Sequence, residues 1–143
     1  MNQNKRNIKW VNVGIGVVVE DFKTNKILLG KRTDKNYHGV GTWCTPGGHI
    51  NFGESLTDAC RRETFEELGI VIKHLVFQGV TNDIFKEEGK HYITLWYSAQ
   101  HHTGKLKKST EELEDIGWFP RSKIPHPLFL STKNYMQNIR IKC

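Results

Sequence analysis

No apolar run in this sequence approaches the length of a membrane helix. The longest, Ile15 to Val19, is broken by Gly16, whereas a bilayer span needs about 20 apolar residues. Cysteine is scarce and unpatterned. Cys44, Cys60 and Cys143 are an odd count without CxxC spacing, which speaks against a disulfide framework and a zinc knuckle. Cys44 and Cys60 read as small, buried, reduced thiols, since no His/Asn signature marks either as a nucleophile. Proline is rare, at four, and there is no repeat, linker or low-complexity tract. The opening residues carry charge but lead into no secretory apolar segment, so the expected compartment is the cytoplasm.

Acidic residues are the minority, 15 against 21 Lys and Arg, for a net charge of +6. Basic residues gather at 5–9, at 105–108, and at Lys133, Arg140 and Lys142. Such a balance suits an anionic partner, from a triphosphate to a nucleic acid. The scattered spacing fits a solvated surface better than a binding stripe, and no stable nucleic-acid partner is expected. With 143 residues, 37% hydrophobic and 25% charged, the chain is expected to form one domain over 1–143, as a monomer or a homodimer.

The hydropathy pattern is that of a mixed α/β domain. Val11 to Val19 is β-branched and opens with alternation, as a central strand does. The polar turn at 21–25 leads to a returning strand over Lys26–Arg32. A Gly-rich loop from His38 to Gly48 precedes a helix over Leu56–Leu68. Strands are expected at His74–Phe85, His91–His102 and Asp115–Phe119. A final helix over Ser131–Lys142 would turn Tyr135, Met136 and Ile139 inward.

The informative segment is Gly48 to Ile70. Ser55 and Asp58 stand three apart, as in a capping box, and Gly69 sits where a helix end wants positive φ. Glu63, Glu66 and Glu67 fall at i, i+3 and i+4, so three like charges converge on one helix face. Helix propensity asks for no such cluster, and a bound cation is the usual relief. At about 100° per residue, Glu63 and Glu67 share an arc with Leu56, Ala59 and Cys60, the apolar side. Inward-facing hard oxygens make a ligand set for Mg²⁺ or Mn²⁺ bridging to phosphates. Arg62 can pair with Glu66 four along and orient a carboxylate through a bidentate contact. The plainer alternative is a surface helix with ordinary i,i+4 pairs.

The full spacing removes most of the room for that alternative. Gly48, five residues, Glu54, seven residues, Arg62-Glu63, two residues, Glu66-Glu67, one residue, Gly69-Ile70 resembles the Nudix box at every charged and glycine position. The single departure is Thr64, where the family usually places an aliphatic residue. Trp43 to His49 resembles the loop leading into the box. The resemblance implies a Nudix fold, an α/β/α sandwich around a mixed β-sheet. It implies that Glu63, Glu66 and Glu67 hold a divalent metal, Mg²⁺ with Mn²⁺ able to substitute, helped by the carbonyl of Gly47 or Gly48. A further carboxylate is expected from the loop before the late Trp118 strand: Glu114 first, with Glu111 and Glu112 as neighbours. Glu54 is expected to be structural, bracing the loop or the helix N-terminus.

The activity so implied is metal-assisted hydrolysis of a phosphoric anhydride, with Glu63 or Glu66 taking the proton and Arg62 steering the base. The flanking segments 13–19, 29–32, 46–49 and 52–54 resemble MutT-type nucleoside triphosphate pyrophosphohydrolases, notably a cytosolic animal and plant branch. That makes the expected partner a small nucleotide, a purine triphosphate in ordinary or oxidised form, cut to monophosphate and pyrophosphate. Arg32 and His49 are candidate substrate contacts. Phe129 either stacks on the base or closes the last helix as a core side chain. Two rivals remain, a nucleotide-sugar hydrolase of GDP-mannose or ADP-ribose type and a non-catalytic nucleotide- or RNA-binding module.

Overall fold

β-Branched residues crowd the first strand because it is covered on both faces. In the computed structural model, which describes residues 9–33, 38–109 and 111–138, β1 spans Val11–Asp21, and Val17, Val18 and Val19 are all fully buried. A half-exposed strand would alternate; a central one cannot. β2 (Lys26–Arg32) returns antiparallel to β1. Two short strands follow, β3 (Trp43–Cys44) and β4 (Gly47–His49), where the sequence suggested unbroken loop. Both are too short to carry a periodic signal. Then come α1 (Leu56–Leu68), β5 (Val71–Phe85), β6 (Lys90–Thr103), β7 (Leu113–Pro120) and α2 (Leu130–Asn138).

Among the described residues the strands form one sheet of order β3-β2-β1-β6-β5, with β4 beside β1 and β7 beside β2. β1 and β6 run parallel while the other pairs are antiparallel, so the sheet is mixed. Side-chain alternation then sorts the core into two layers. Ile15, Val17 and Val19 of β1 join Leu28, Tyr97 and α1 residues Ala59, Cys60 and Leu68 on one face. Val18, Ile27, Leu29 and Trp96 join Tyr135 of α2 on the other, with Met136 packed against them. One helix on each face is the expected α/β/α sandwich. Ile139, Arg140, Lys142 and Cys143 lie outside the described residues, as do Lys5 and Arg6.

The ends of α1 follow their sequence signals. Ser55 is the N-cap, its Oγ accepting from the Asp58 N–H at 3.1 Å. Gly69 ends the helix at φ 70°, a left-handed conformation costly for a residue with a Cβ, and donates its N–H to the Phe65 carbonyl at 2.8 Å. Thr64, the one departure from the box, is fully buried and donates its hydroxyl to the Cys60 carbonyl at 2.7 Å. Its polar atom is therefore satisfied inside the helix, and its methyl packs. Cys44 and Cys60 are buried free thiols, both pushed up to about 12, chiefly by burial.

Candidate active site

Two consecutive glycines seat the helix carboxylates against the sheet. β4 pairs with β1 through Gly16–Gly47 and Ile15–Gly48. A Cβ at Gly48 would stand 2.6 Å from the Glu63 carboxyl carbon, and one at Gly47 would run into the Ile15 carbonyl. Only glycine lets the helix carboxylates lie directly on this backbone.

Arg62 clamps the loop to the helix. Its Nε and Nη2 make a bidentate pair with Glu54, at 2.7 Å to Oε1 and 3.0 Å to Oε2. Nη2 also donates to the His49 carbonyl at 2.9 Å, while Nη1 reaches Glu63 Oε1 at 2.8 Å and Glu66 Oε2 at 3.2 Å. Glu54 Oε2 further accepts from the Asn51 N–H at 3.0 Å. Glu54 thus braces the loop, as expected. The Arg62 hydrogen bonds hold Glu54 below the ordinary carboxylate range, and Glu54 in turn raises Arg62.

Glu63 and Glu67 face a cleft of about 280 Å³ together with Glu112. Burial raises Glu63, partly offset by Arg62. Burial raises Glu67 far more, and the charges of Glu112 and Glu63 add to it; the offsets are a long 3.4 Å hydrogen bond from the Gly47 N–H and the charge of Arg32. Three carboxylates around one cleft with so little positive charge beside them fit a hard divalent cation. They are not drawn together in advance: among the described residues no three acidic, imidazole or thiol groups stand at metal-ligating separation.

Two expected ligands lie elsewhere. Glu114 does not line the cleft; it is half exposed in an ion pair with Lys31 at 2.9 Å. Glu112 takes its place in lining the cleft, beyond a segment, 105–109, that folds along the end of α1. There the Lys107 and Ser109 N–H groups cap the Leu68 and Glu67 carbonyls, each at 2.8 Å, while Thr33 donates to the Glu112 carbonyl at 3.0 Å. Glu114 falls where β7 shifts register against Lys31 and Arg32, and its carboxylate goes to Lys31. Glu111 is exposed and also lies off the cleft. Glu66 sits exposed at the rim, its carboxylate turned to Arg62.

The cleft is also lined by an aromatic cluster. Phe129 meets His38 and Phe85 with ring centroids 5.1 and 5.2 Å apart, and His38 meets Phe85 at 4.3 Å. Arg32 lays its guanidinium 4.4 Å from the Phe129 ring centroid and donates Nε to the His38 carbonyl at 2.7 Å. Phe129 therefore lines the cleft but has one face covered, closer to the packing role than to an open stacking surface. His49 lies at the mouth near Tyr92, with centroids 5.6 Å apart. Sequence reasoning missed His38, Phe85, Tyr92 and Thr94 as cleft residues. The available signal was period-two alternation: Tyr92, Thr94 and Trp96 share one face of β6 and all line the cleft.

A NUDIX domain family model matches residues 10–139. Mouse 8-oxo-dGDP phosphatase NUDT18 is 33% identical over 91 residues, 62% of this chain and 27% of that protein. The ADP-ribose pyrophosphatase of Methanocaldococcus jannaschii is 30% identical over 129 residues, 87% of this chain and 73% of that protein. The crystal structure of a MutT NUDIX hydrolase from Burkholderia pseudomallei superposes with a TM-score of 0.83 at 29% identity, covering 92% of this chain and 99% of that one. Several curated relatives are longer, and the chain spans 27%, 47% and 38% of three of them. No helix among the described residues is long and apolar enough to cross a membrane. With the family pattern covering nearly all of a chain whose box folds into this clamped loop and carboxylate-bearing helix, the protein belongs to the Nudix hydrolase family.

Proposed function

We propose that this chain is one Nudix domain that hydrolyses nucleoside triphosphates, purine ones above all, to monophosphate and pyrophosphate, with Mg²⁺ as its metal and the cytosol as its compartment. The observation that carries this reading is the mixed lining of the cleft. Three carboxylates, Glu63, Glu67 and Glu112, and an aromatic cluster of His38, Phe85 and Phe129 line the same cleft. A ligand with a flat apolar head and a charged phosphate tail matches that lining. The mouse relative named as an 8-oxo-dGDP phosphatase supports an oxidised purine in that role.

Nudix hydrolases generally use a divalent metal, and Glu63, Glu67 and Glu112 are the residues that would hold it, with Glu66 turning in from Arg62. When bound, such an ion neutralises phosphoryl oxygens and makes water more acidic. The chain supplies the remainder. Arg62 fixes Glu63 through Oε1, which leaves Oε2 as the free proton acceptor. The Gly47 N–H steadies Glu67. The aromatic cluster holds the base and so determines which phosphorus faces Glu63.

Incubation of the purified chain with dGTP, 8-oxo-dGTP and dATP in Mg²⁺ and ¹⁸O-water, with products resolved by mass spectrometry, tests this. Monophosphate and pyrophosphate are expected, with one of them labelled, and no turnover in excess EDTA. Diphosphate plus phosphate, or activity that survives EDTA, would sink the proposal. A second reading, hydrolysis of ADP-ribose, is favoured by the relative of that name that this chain covers to 73%; with ADP-ribose added to the same substrate set, turnover confined to it selects that reading.

A further inference from the structure

The cleft wall carries a hydroxyl, that of Thr94, whose hydrogen-bonding sense is fixed from behind. Asp83 is fully buried. Its Oδ2 accepts from the Thr81 hydroxyl at 3.0 Å and the Thr94 hydroxyl at 2.6 Å, while Oδ1 accepts from Asn134 Nδ2 at 2.8 Å. Thr81 in turn accepts from Trp96 Nε1 at 2.8 Å. The directions follow from the groups. An indole N–H only donates, so the Thr81 proton is left for Asp83; a carboxylate only accepts, so the Thr94 proton goes to it as well. Thr94 nonetheless lines the cleft, and Gly14, its register partner on β1, adds no side chain beside it. What Thr94 offers a ligand is therefore an oxygen with lone pairs and no proton.

Its place across the sheet fits a base contact. Thr94 pairs with Gly14, and Gly14 pairs on its other side with His49, next to the glycine on which Glu63 lies. Two strand spacings, about 10 Å, thus separate Thr94 from the strand that carries Gly48, and Thr94 lines the same cleft as Glu63 and Glu67, a span that a nucleotide can bridge.

We propose that Thr94 is a specificity-determining residue that accepts a hydrogen bond from an exocyclic amino group of the base, and that Asp83 is the positioning residue that makes it acceptor-only. This rests on the nucleotide reading above. Two probe pairs differ by one such donor: dGTP against dITP, and dATP against the triphosphate of purine deoxyriboside. Turnover is measured on the triphosphates, and dissociation constants by calorimetry on the corresponding monophosphates without metal. For at least one pair the intact chain should favour the donor-bearing member about tenfold in both readouts. Thr94→Val should collapse that ratio to within about twofold while Thr94→Ser keeps it. Asp83→Asn, whose amide can donate to Thr94 and free its proton, should reduce or reverse it. Thermal melting confirms folding, and if Thr94→Val fails to fold, Asp83→Asn against Thr94→Ser decides. No preference in the intact chain, or a ratio that survives Thr94→Val with nucleotides still bound, overturns the inference and leaves the nucleotide reading standing. Failure of every nucleotide to bind or turn over overturns both.

Discussion

Glu67 and Asp83 are both carboxylates withdrawn from water beside the same cleft, and the protein treats them in opposite ways. Asp83 takes three hydrogen bonds from neutral donors within 2.6–3.0 Å. Glu67 receives one at 3.4 Å, and its near neighbours include two more carboxylates, so it is raised well above the ordinary range. Desolvation is offset at one and left largely uncompensated at the other. The lesson concerns what each charge is for. A buried carboxylate whose lone pairs are filled by the fold holds structure together, whereas one left short of partners and crowded by like charge is set up to receive a cation.

The sharpest way to break the comparison is to neutralise each group. Glu67→Gln should lower kcat by about three orders of magnitude, because a ligand and its charge vanish together. It should leave the melting temperature unchanged or higher, since repulsion from Glu63 and Glu112 is relieved. Near-normal kcat would place the metal elsewhere. Asp83→Ala should do the reverse to stability. Two hydroxyls and an amide lose a buried acceptor, at about 1–3 kcal/mol each, so denaturant unfolding should register a loss of about 3 kcal/mol or more. A loss below about 1 kcal/mol would mean the donors re-pair.

Glu112 and Glu114 offer a finer version of the same contrast. Glu112 lines the cleft, where its charge helps to raise Glu67, whereas Glu114 stands off the cleft against Lys31. Glu112→Gln should lower kcat by at least about tenfold. Glu114→Gln should leave kcat near wild type and shift stability by less than about 1 kcal/mol, the usual worth of an exposed pair. Steady-state kinetics on the two variants side by side decide it, and the reverse ranking would restore Glu114 to the site.

How much of this was legible in the sequence follows the range of the interactions. α1 was readable from end to end because its cap, its Gly69 stop and its i, i+3, i+4 carboxylates are all local. The buried runs of β1 and β2 were readable for the same reason. β3 and β4 were not, since two or three residues carry no period. Glu112 could not be told from Glu114 because the choice depends on how 105–109 folds onto the end of α1 and on the register of β7 against β2, contacts between distant segments. Asp83 gave no signal at all: its partners Thr81, Thr94 and Asn134 are brought together only by strand register and the docking of α2.

The smallest expected effect lies at the one carboxylate of the site that is held strongly and stays near solvent. Glu54 sits below the ordinary carboxylate range, first because Arg62 donates to it and then because of the Asn51 N–H. A folded value below the unfolded one means that the unfolded chain binds protons first as the pH falls. The stability from this clamp is therefore complete above the ordinary carboxylate pKa, about 4.3, and is lost as the pH drops toward and through the folded value. Glu54→Gln removes the titrating charge while keeping an acceptor for Arg62, so it should be less stable than wild type near neutrality and lose less on acidification. Melting temperatures from pH 7 down to about 3 should then show the two curves converging at the acid end. Curves that stay parallel over that range would mean the Glu54–Arg62 pair is not what holds the loop on the helix.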